Sequence, residues 1–300
     1  MTIPTIDIGI ACSAHQIPNW WAGVFSGLLR ELDRGTFTLG QLLANQSALR
    51  EWNKNKDVGG LFAPPTENKR NQDTDANRQS ISGSFLTGTE SGFKADYIFW
   101  IDDDTVFPDG TITNLLRLEK PFVAGLYFNT NPPHNPIAYK ILDNGGYKHL
   151  WDYAPGSIIQ VDSVGMGCTL IHRSVYEKIM EEHVVFQRTN GSLFPIHKNH
   201  IFTTLDPVPG VASKKFVQDG WFYEKVVEPD PDDDRVFPFY SMEYGRTEDH
   251  HFCEMACAVG IHPWVDTNIV CEHWKHSAGT YDQYQKEVSK IEVIEKLVHD

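Results

Sequence analysis

YIFWIDDDTVFPDG, residues 97 to 110, runs from an unbroken apolar stretch into three successive carboxylates and a Phe-Pro-Asp-Gly turn. Tyr97 to Ile101 shows no polar alternation, the pattern of a short parallel strand covered on both faces. Asp102, Asp103 and Asp104 then fall at its carboxyl end. Adjacent carboxylates beside a low-dielectric strand end raise one another's pKa unless a cation or dense hydrogen bonding offsets their repulsion. A positive partner is expected there.

Working outward, IDIGIAC (6 to 12) reads as a buried first strand and PNWWAGVFSGLLREL (18 to 32) as a helix, with Trp21, Val24, Phe25, Leu28 and Leu32 at helical spacing. RQSISGSFLTG predicts a helix feeding the Asp-bearing strand, TITNLLRL a short helix after it, and FVAGLYF (122 to 128) another buried strand. Strand and helix thus alternate as in a doubly wound sheet, whose ligands bind beyond the carboxyl ends of the strands. PIAYKILDNGGYKHLWDY predicts a hairpin around Asn144-Gly145-Gly146, SIIQVDSVGMGCTLIHR further strand, and Ser174 to Glu177 a capping box opening a helix over 174 to 182. The expected fold is α/β, a mixed and mostly parallel sheet flanked by helices. Residues 50 to 77 predict an exposed loop, and 183 to 240, with several prolines and the acidic run DPDDDR (230 to 235), a loop-rich insertion. One domain is expected over 1–300: a first half to about 128, a second half to about 282, and a helix over 283 to 300.

Of 300 residues, 41% are hydrophobic, ample for a packed core. Lys and Arg number 26 against 40 Asp and Glu, a formal charge of -14, which disfavours a broad nucleic-acid surface; Lys69-Arg70 and Lys214-Lys215 read as solvated. The start of the chain lacks a basic segment with a long apolar core, and no stretch approaches a membrane span, so a cytoplasmic protein is expected. Five widely spread cysteines, Cys12, Cys168, Cys253, Cys257 and Cys271, predict reduced buried thiols rather than a disulfide framework.

Near the end of the chain, Thr247 is placed to cap a helix beginning EDHHFCEMACAVG, with Phe252, Met255, Ala256 and Val259 on one face and Gly260 to end it. Glu248 and Asp249 fall in its first turn. Acids there complement the helix dipole, and a carboxylate so held is expected to stay ionised and suits a base taking a proton from a hydroxyl. His262, His273 and His276 follow; His273, folded back on the Asp cluster, would complete an oxygen-and-imidazole set for Mn2+ or Mg2+. Gathering His250, His251, Cys253, Cys257, Cys271 and His273 into a zinc site matches no standard zinc spacing. No dinucleotide fingerprint, phosphate-binding Gly-Lys loop or Gly-x-Ser-x-Gly elbow occurs.

Together YIFWIDDDTVFPDG, VDSVGMGCTLIHRSVYEKI and GRTEDHHFCEMACAVGIHPWVDTNIVCEHW resemble the GT-A class of nucleotide-sugar glycosyltransferases, especially family 2-like proteins of bacteria and bacteriophages. The resemblance implies a Rossmann-like GT-A fold and a nucleotide-sugar donor, with UDP-sugar favoured; the half up to about 128 would bind the nucleotide, and the half from about 129 to 282, with its 183 to 240 insertion, would lie on the acceptor side. It places Asp102 and Asp103 near the donor's ribose and phosphates, and Asp104 with His273 on the metal; which of the three aspartates takes the ion stays open, Asp102 included, and His276 is an alternative to His273. Asp249, or failing it Glu248, would be the base. Ala11 to Ser13 would border the nucleobase, Arg78 would contact the donor, and Gly165 to Gly167 would bring backbone close to the donor sugar or acceptor.

The acceptor is not legible: a glycan, lipid, protein or modified DNA base would each serve. A sugar nucleotidyltransferase would share the fold but normally carries a Gly-rich basic loop after its first strand, where this chain has CSAHQIPNWW. A non-catalytic nucleotide- or glycan-binding protein is the other alternative.

Overall fold

The computed structural model describes residues 3–11, 21–44, 74–89, 91–102, 104–143, 145–187, 193–200, 202–203, 216–218, 221–223, 225–227, 237–241, 246–274 and 278–279. Ser13, Asp103, His276, Cys12, the Lys69-Arg70 and Lys214-Lys215 pairs, the DPDDDR run and the 283 to 300 segment lie outside these residues.

β1 (Thr5–Ala11) leads through α1 (Trp21–Asp33) to β2 (Thr38–Ala44), and α2 (Thr74–Thr87) precedes β3 (Tyr97–Asp102). The expected loop over 50 to 77 therefore gives way to helix by residue 74. β4 (Thr105–Val106), α3 (Thr111–Arg117) and β5 (Phe122–Leu126) follow. β6 (Ala138–Ile141) and β7 (Tyr147–His149) form the expected antiparallel hairpin. β8 (Ile158–Gln160), β9 (Ser163–Val164) and β10 (Cys168–His172) then lead into α4 (Arg173–Glu182). That helix starts one residue early and Ser174 is not its cap: the His172 ring accepts the Ser174 backbone N–H.

The segment after α4 corrects the expectation of loops. β11 (His183–Gln187), β12 (Leu193–His197), β13 (Phe202–Thr203), β14 (Phe216–Gln218), β15 (Trp221–Tyr223) and β16 (Lys225–Val227) build two three-stranded antiparallel sheets, ordered β12-β11-β16 and β13-β14-β15. Pro195 lies in β12, an edge strand among the described residues, which is where a sheet tolerates proline. α5 (Glu248–Ala258), β17 (Trp264–Val270), β18 (Glu272–Trp274) and β19 (Ala278–Gly279) complete the described elements.

The main sheet is ordered β2-β1-β3-β10-β5-β17-β8. β2, β1, β3, β5 and β17 run one way, with β10 and β8 reversed, so the sheet is mixed and mostly parallel, as expected. β3 is apolar and buried from Ile98 to Ile101 because both its faces are covered. Ile98 and Trp100 pack with Ile81 and Phe85 of α2, Val175, Tyr176 and Ile179 of α4, and Phe252 and Ala256 of α5. Phe99 and Ile101 pack on the other face with Leu28 of α1 and Ile112 and Leu115 of α3. Burial of one such side chain contributes roughly 1.5 to 3 kcal/mol.

Candidate active site

β1 and β3 end level, with Ala11 paired to Asp102, and the reversed β10 begins beside them. The turn before β10 lies across this edge: the Asp102 N–H points to the Gly167 carbonyl at 3.4 Å, and the Gly167 N–H donates to the Tyr127 hydroxyl at 3.1 Å. A Cβ on Gly167 would sit 2.7 Å from Thr105 Oγ1 and 3.1 Å from Asp102 Oδ2. Only glycine lets this turn close on the carboxylate.

Two helices send charged groups to the same edge. On α2, Arg78, Ser82 and Phe85 share an inward stripe, and on α5 so do Glu248, His251, Phe252, Met255 and Ala256. Arg78 is therefore buried, its side chain 3% exposed. Its Nη2 donates to Asp102 Oδ1 at 2.6 Å and its Nε to Glu248 Oε1 at 3.1 Å, while Nη1 has no partner among the described residues. Burial works to lower the Arg78 pKa, but Asp102 and Glu248 raise it beyond its ordinary value, so the cation persists. Burial pushes the Asp102 carboxyl up despite the Arg78 charge, with Asp104 adding to the rise.

Asp104 lies beyond the end of β3, and antiparallel pairing of β18 with β4 sets His273 opposite Thr105. The result is a contact between segments 169 residues apart: His273 Nε2 is 3.1 Å from Asp104 Oδ2. The other ring nitrogen, Nδ1, is 3.0 Å from the Phe128 carbonyl. A carbonyl only accepts, so Nδ1 carries the hydrogen, and in the neutral ring Nε2 presents a lone pair to the carboxylate. Two electron-rich atoms so placed call for a proton or a cation between them. Tyr127 packs edge-on against the His273 ring, at 5.5 Å between centroids.

Asp249 lies one residue off the buried stripe of α5. Thr247 occupies the N-cap position but makes no side-chain bond to the backbone; its hydroxyl bonds Asp249 Oδ1, which also accepts the His250 N–H at 2.9 Å. Burial, then the Glu248 charge, raises the Asp249 pKa to about 6. The helix dipole alone predicts the reverse, so desolvation outweighs it here. Burial first, then the charges of Asp102 and Asp249, hold the Tyr127 phenol protonated.

The structure thus brings Ala11, Arg78, Asp102, Gly167 and Glu248 to one sheet edge, with Asp104, His273 and Asp249 around it. Asp102, counted among the metal ligands from sequence, has one oxygen bound to Arg78. Among the described residues no three His, Cys, Asp or Glu side chains are arranged to hold a metal ion. The zinc grouping is not assembled: Cys253 bonds the Val164 carbonyl, Cys257 contacts His262, and His250 bonds Ser163. Cys168, Cys253 and Cys271 are buried free thiols, as expected, whereas Cys257 is a free thiol that is only partly buried.

No protein-family model and no curated protein matches this chain. Among solved structures, the crystal structure of A197 from STIV is similar at 12% identity and a TM-score of 0.41, over 93% of this chain and 91% of that one. The crystal structure of GalNAc-T7 with UDP, GalNAc and Mn2+ is similar at 11% identity and a TM-score of 0.44, over 96% of this chain. The alignment covers 48% of that protein, so this chain spans about half its length. No helix among the described residues is long and apolar enough to cross a membrane.

Sequence reasoning missed Tyr127 and the Phe128 carbonyl. Their signal was available: both follow β5 directly, at the carboxyl edge where ligands of such sheets bind.

Proposed function

We propose that this chain is a metal-dependent glycosyltransferase that moves a sugar from a nucleotide-sugar, a UDP-sugar foremost, to an acceptor hydroxyl with inversion. The observation that supports this best is the His273–Asp104 pair at 3.1 Å, its imidazole oriented by the Phe128 carbonyl, beside an edge where Asp102 and Glu248 share one guanidinium. An anionic donor would be repelled by such an edge unless a cation accompanied it.

The residues fit a divalent ion of the Mg2+ or Mn2+ kind. Bonds of about 2.1 Å at right angles separate two ligand atoms by about 3 Å, and such ions take one or two protein oxygens plus substrate phosphates and water. Asp104 and His273 would hold it. When bound, the ion supplies Lewis-acid stabilisation of the departing diphosphate.

Asp249 takes the proton. Among the described residues its hydrogen bonds go to Oδ1, which leaves Oδ2 to accept from the acceptor hydroxyl. With a pKa of about 6 it is mostly ionised at neutral pH yet basic enough to receive a proton. The bond from the sugar's anomeric carbon to the diphosphate breaks with its electron pair on the diphosphate, and the acceptor oxygen forms the new bond. Glu248 is the weaker candidate because its carboxylate is bonded to Arg78. Gly167 and Ala11 border the space assigned to the donor.

Release of UDP from UDP-sugars, followed with Mn2+ and again after chelation, tests this reading. Slow release that chelation stops supports it. Metal-dependent nucleotide binding with no release, with or without sugar acceptors, would instead mark a binding protein.

A further inference from the structure

We propose that Arg78 is a positioning residue that ties the first turn of α5 to the carboxyl end of β3, and so sets where Asp249 stands relative to the Asp102–Asp104 edge. The role assigned to Asp249 rests on the transferase reading; the tie itself does not.

One guanidinium reaches two carboxylates from separate elements, Glu248 at 3.1 Å through Nε and Asp102 at 2.6 Å through Nη2. Glu248 is 170 residues away in sequence and heads the buried stripe of α5, so holding it fixes both the start and the rotation of that helix. Asp249, the next residue, has its direction set by the same rotation. The guanidinium also lies near the Trp100 ring, with Cζ 5.7 Å from its centroid, so β3 contributes a second contact. A planar fork can hold two acceptors in fixed geometry, which a lysine ammonium does not reproduce.

The same facts argue against direct donor contact. The side chain is 3% exposed, two of its nitrogens are occupied, and the third, Nη1, is buried. A phosphate would have to open the packing around Nη1 to reach it, or displace a carboxylate to reach the other two.

The test uses the full chain carrying Arg78→Lys, and the paired variant Arg78→Met with Glu248→Gln, which removes one charge of each sign. Donor KM and kcat are measured with Mn2+, and backbone hydrogen exchange is followed across residues 246 to 258. A misplaced base is expected to lower kcat about 10²-fold in the paired variant, leave donor KM within about threefold, and strip exchange protection from the first turn of α5 alone, with Arg78→Lys between it and wild type. A rise in donor KM with kcat retained would make Arg78 a donor ligand and overturn the proposal, as would unchanged protection and turnover. If the paired variant does not fold, Arg78→Lys carries the same readouts. A wild-type chain that turns over no nucleotide-sugar would refute the transferase reading, and exchange alone would then decide the tie.

Discussion

The raised pKa of Asp249 carries a stability cost. Its carboxyl titrates at about 6 in the folded chain against an ordinary 3.8, so between about pH 4 and 6 the folded chain binds more protons than the unfolded one. Stability therefore falls as pH rises through that window, and above it the ionised group is a constant burden. Asp249→Asn is expected to slow transfer by about 10² to 10⁴-fold with donor affinity nearly intact, while raising stability at neutral pH on the order of 1 kcal/mol. Parallel turnover, donor-binding and urea-denaturation measurements check both halves; retained transfer would remove Asp249 from the role of base. Gly167→Ala tests the closeness of the turn. Its methyl would meet Thr105 Oγ1 and Asp102 Oδ2, and a loss of about 1 to 3 kcal/mol by thermal or urea unfolding is expected. At this scale the sequence showed residue types more readily than partners. The resemblance singled out Arg78 as a donor contact, while its burial between two carboxylates depends on α2 and α5 facing each other across β3, which no local pattern states.

Among the elements, the first turn of α5 carries two neighbouring groups whose titrations oppose each other. His250 stacks on Tyr147 with 3.9 Å between ring centroids, its Nδ1 is 2.6 Å from Ser163 Oγ, and burial lowers its pKa to about 4. Between about pH 4 and 6.5 the unfolded chain binds the extra proton, so the stability that falls with acidification through this range is the histidine's share. Asp249 slopes the other way in nearly the same range. Asp249→Asn should therefore expose a steeper loss of stability on acidification from about 6.5 to about 4, and His250→Asn should reverse the slope. Denaturation midpoints across that range check this; parallel slopes in both variants would contradict it. α5 also shows what patterning could have disclosed. Glu248, His251, Phe252, Met255 and Ala256 repeat at helical spacing, so Glu248 was legible as the inward acid and Asp249 as the one turned aside. The strands after α4 were obscured by prolines, because an edge strand such as β12 accepts proline while a residue-by-residue reading takes it as a breaker.

For the whole molecule, the alternation of strand and helix and the continuous apolar run of β3 indicated a mostly parallel sheet, the hairpin and strands after β5 a mixed one, and the carboxyl edge the place for a candidate site. The reversed β10 was hidden within a longer predicted strand, yet it is what lays Gly167 across Asp102. The pairing of β18 with β4 was equally hidden, since both are short and their register is set by the sheet rather than by their own residues. It brings His273 to Asp104, and the account depends on it. Mn2+ binding followed by electron paramagnetic resonance, with and without UDP, tests this most directly. The wild-type chain is expected to bind Mn2+ weakly alone and more tightly with UDP, and His273→Ala or Asp104→Asn to weaken the UDP-supported binding by about 10 to 100-fold. Equal Mn2+ binding by wild type and both variants in the presence of UDP would contradict the account.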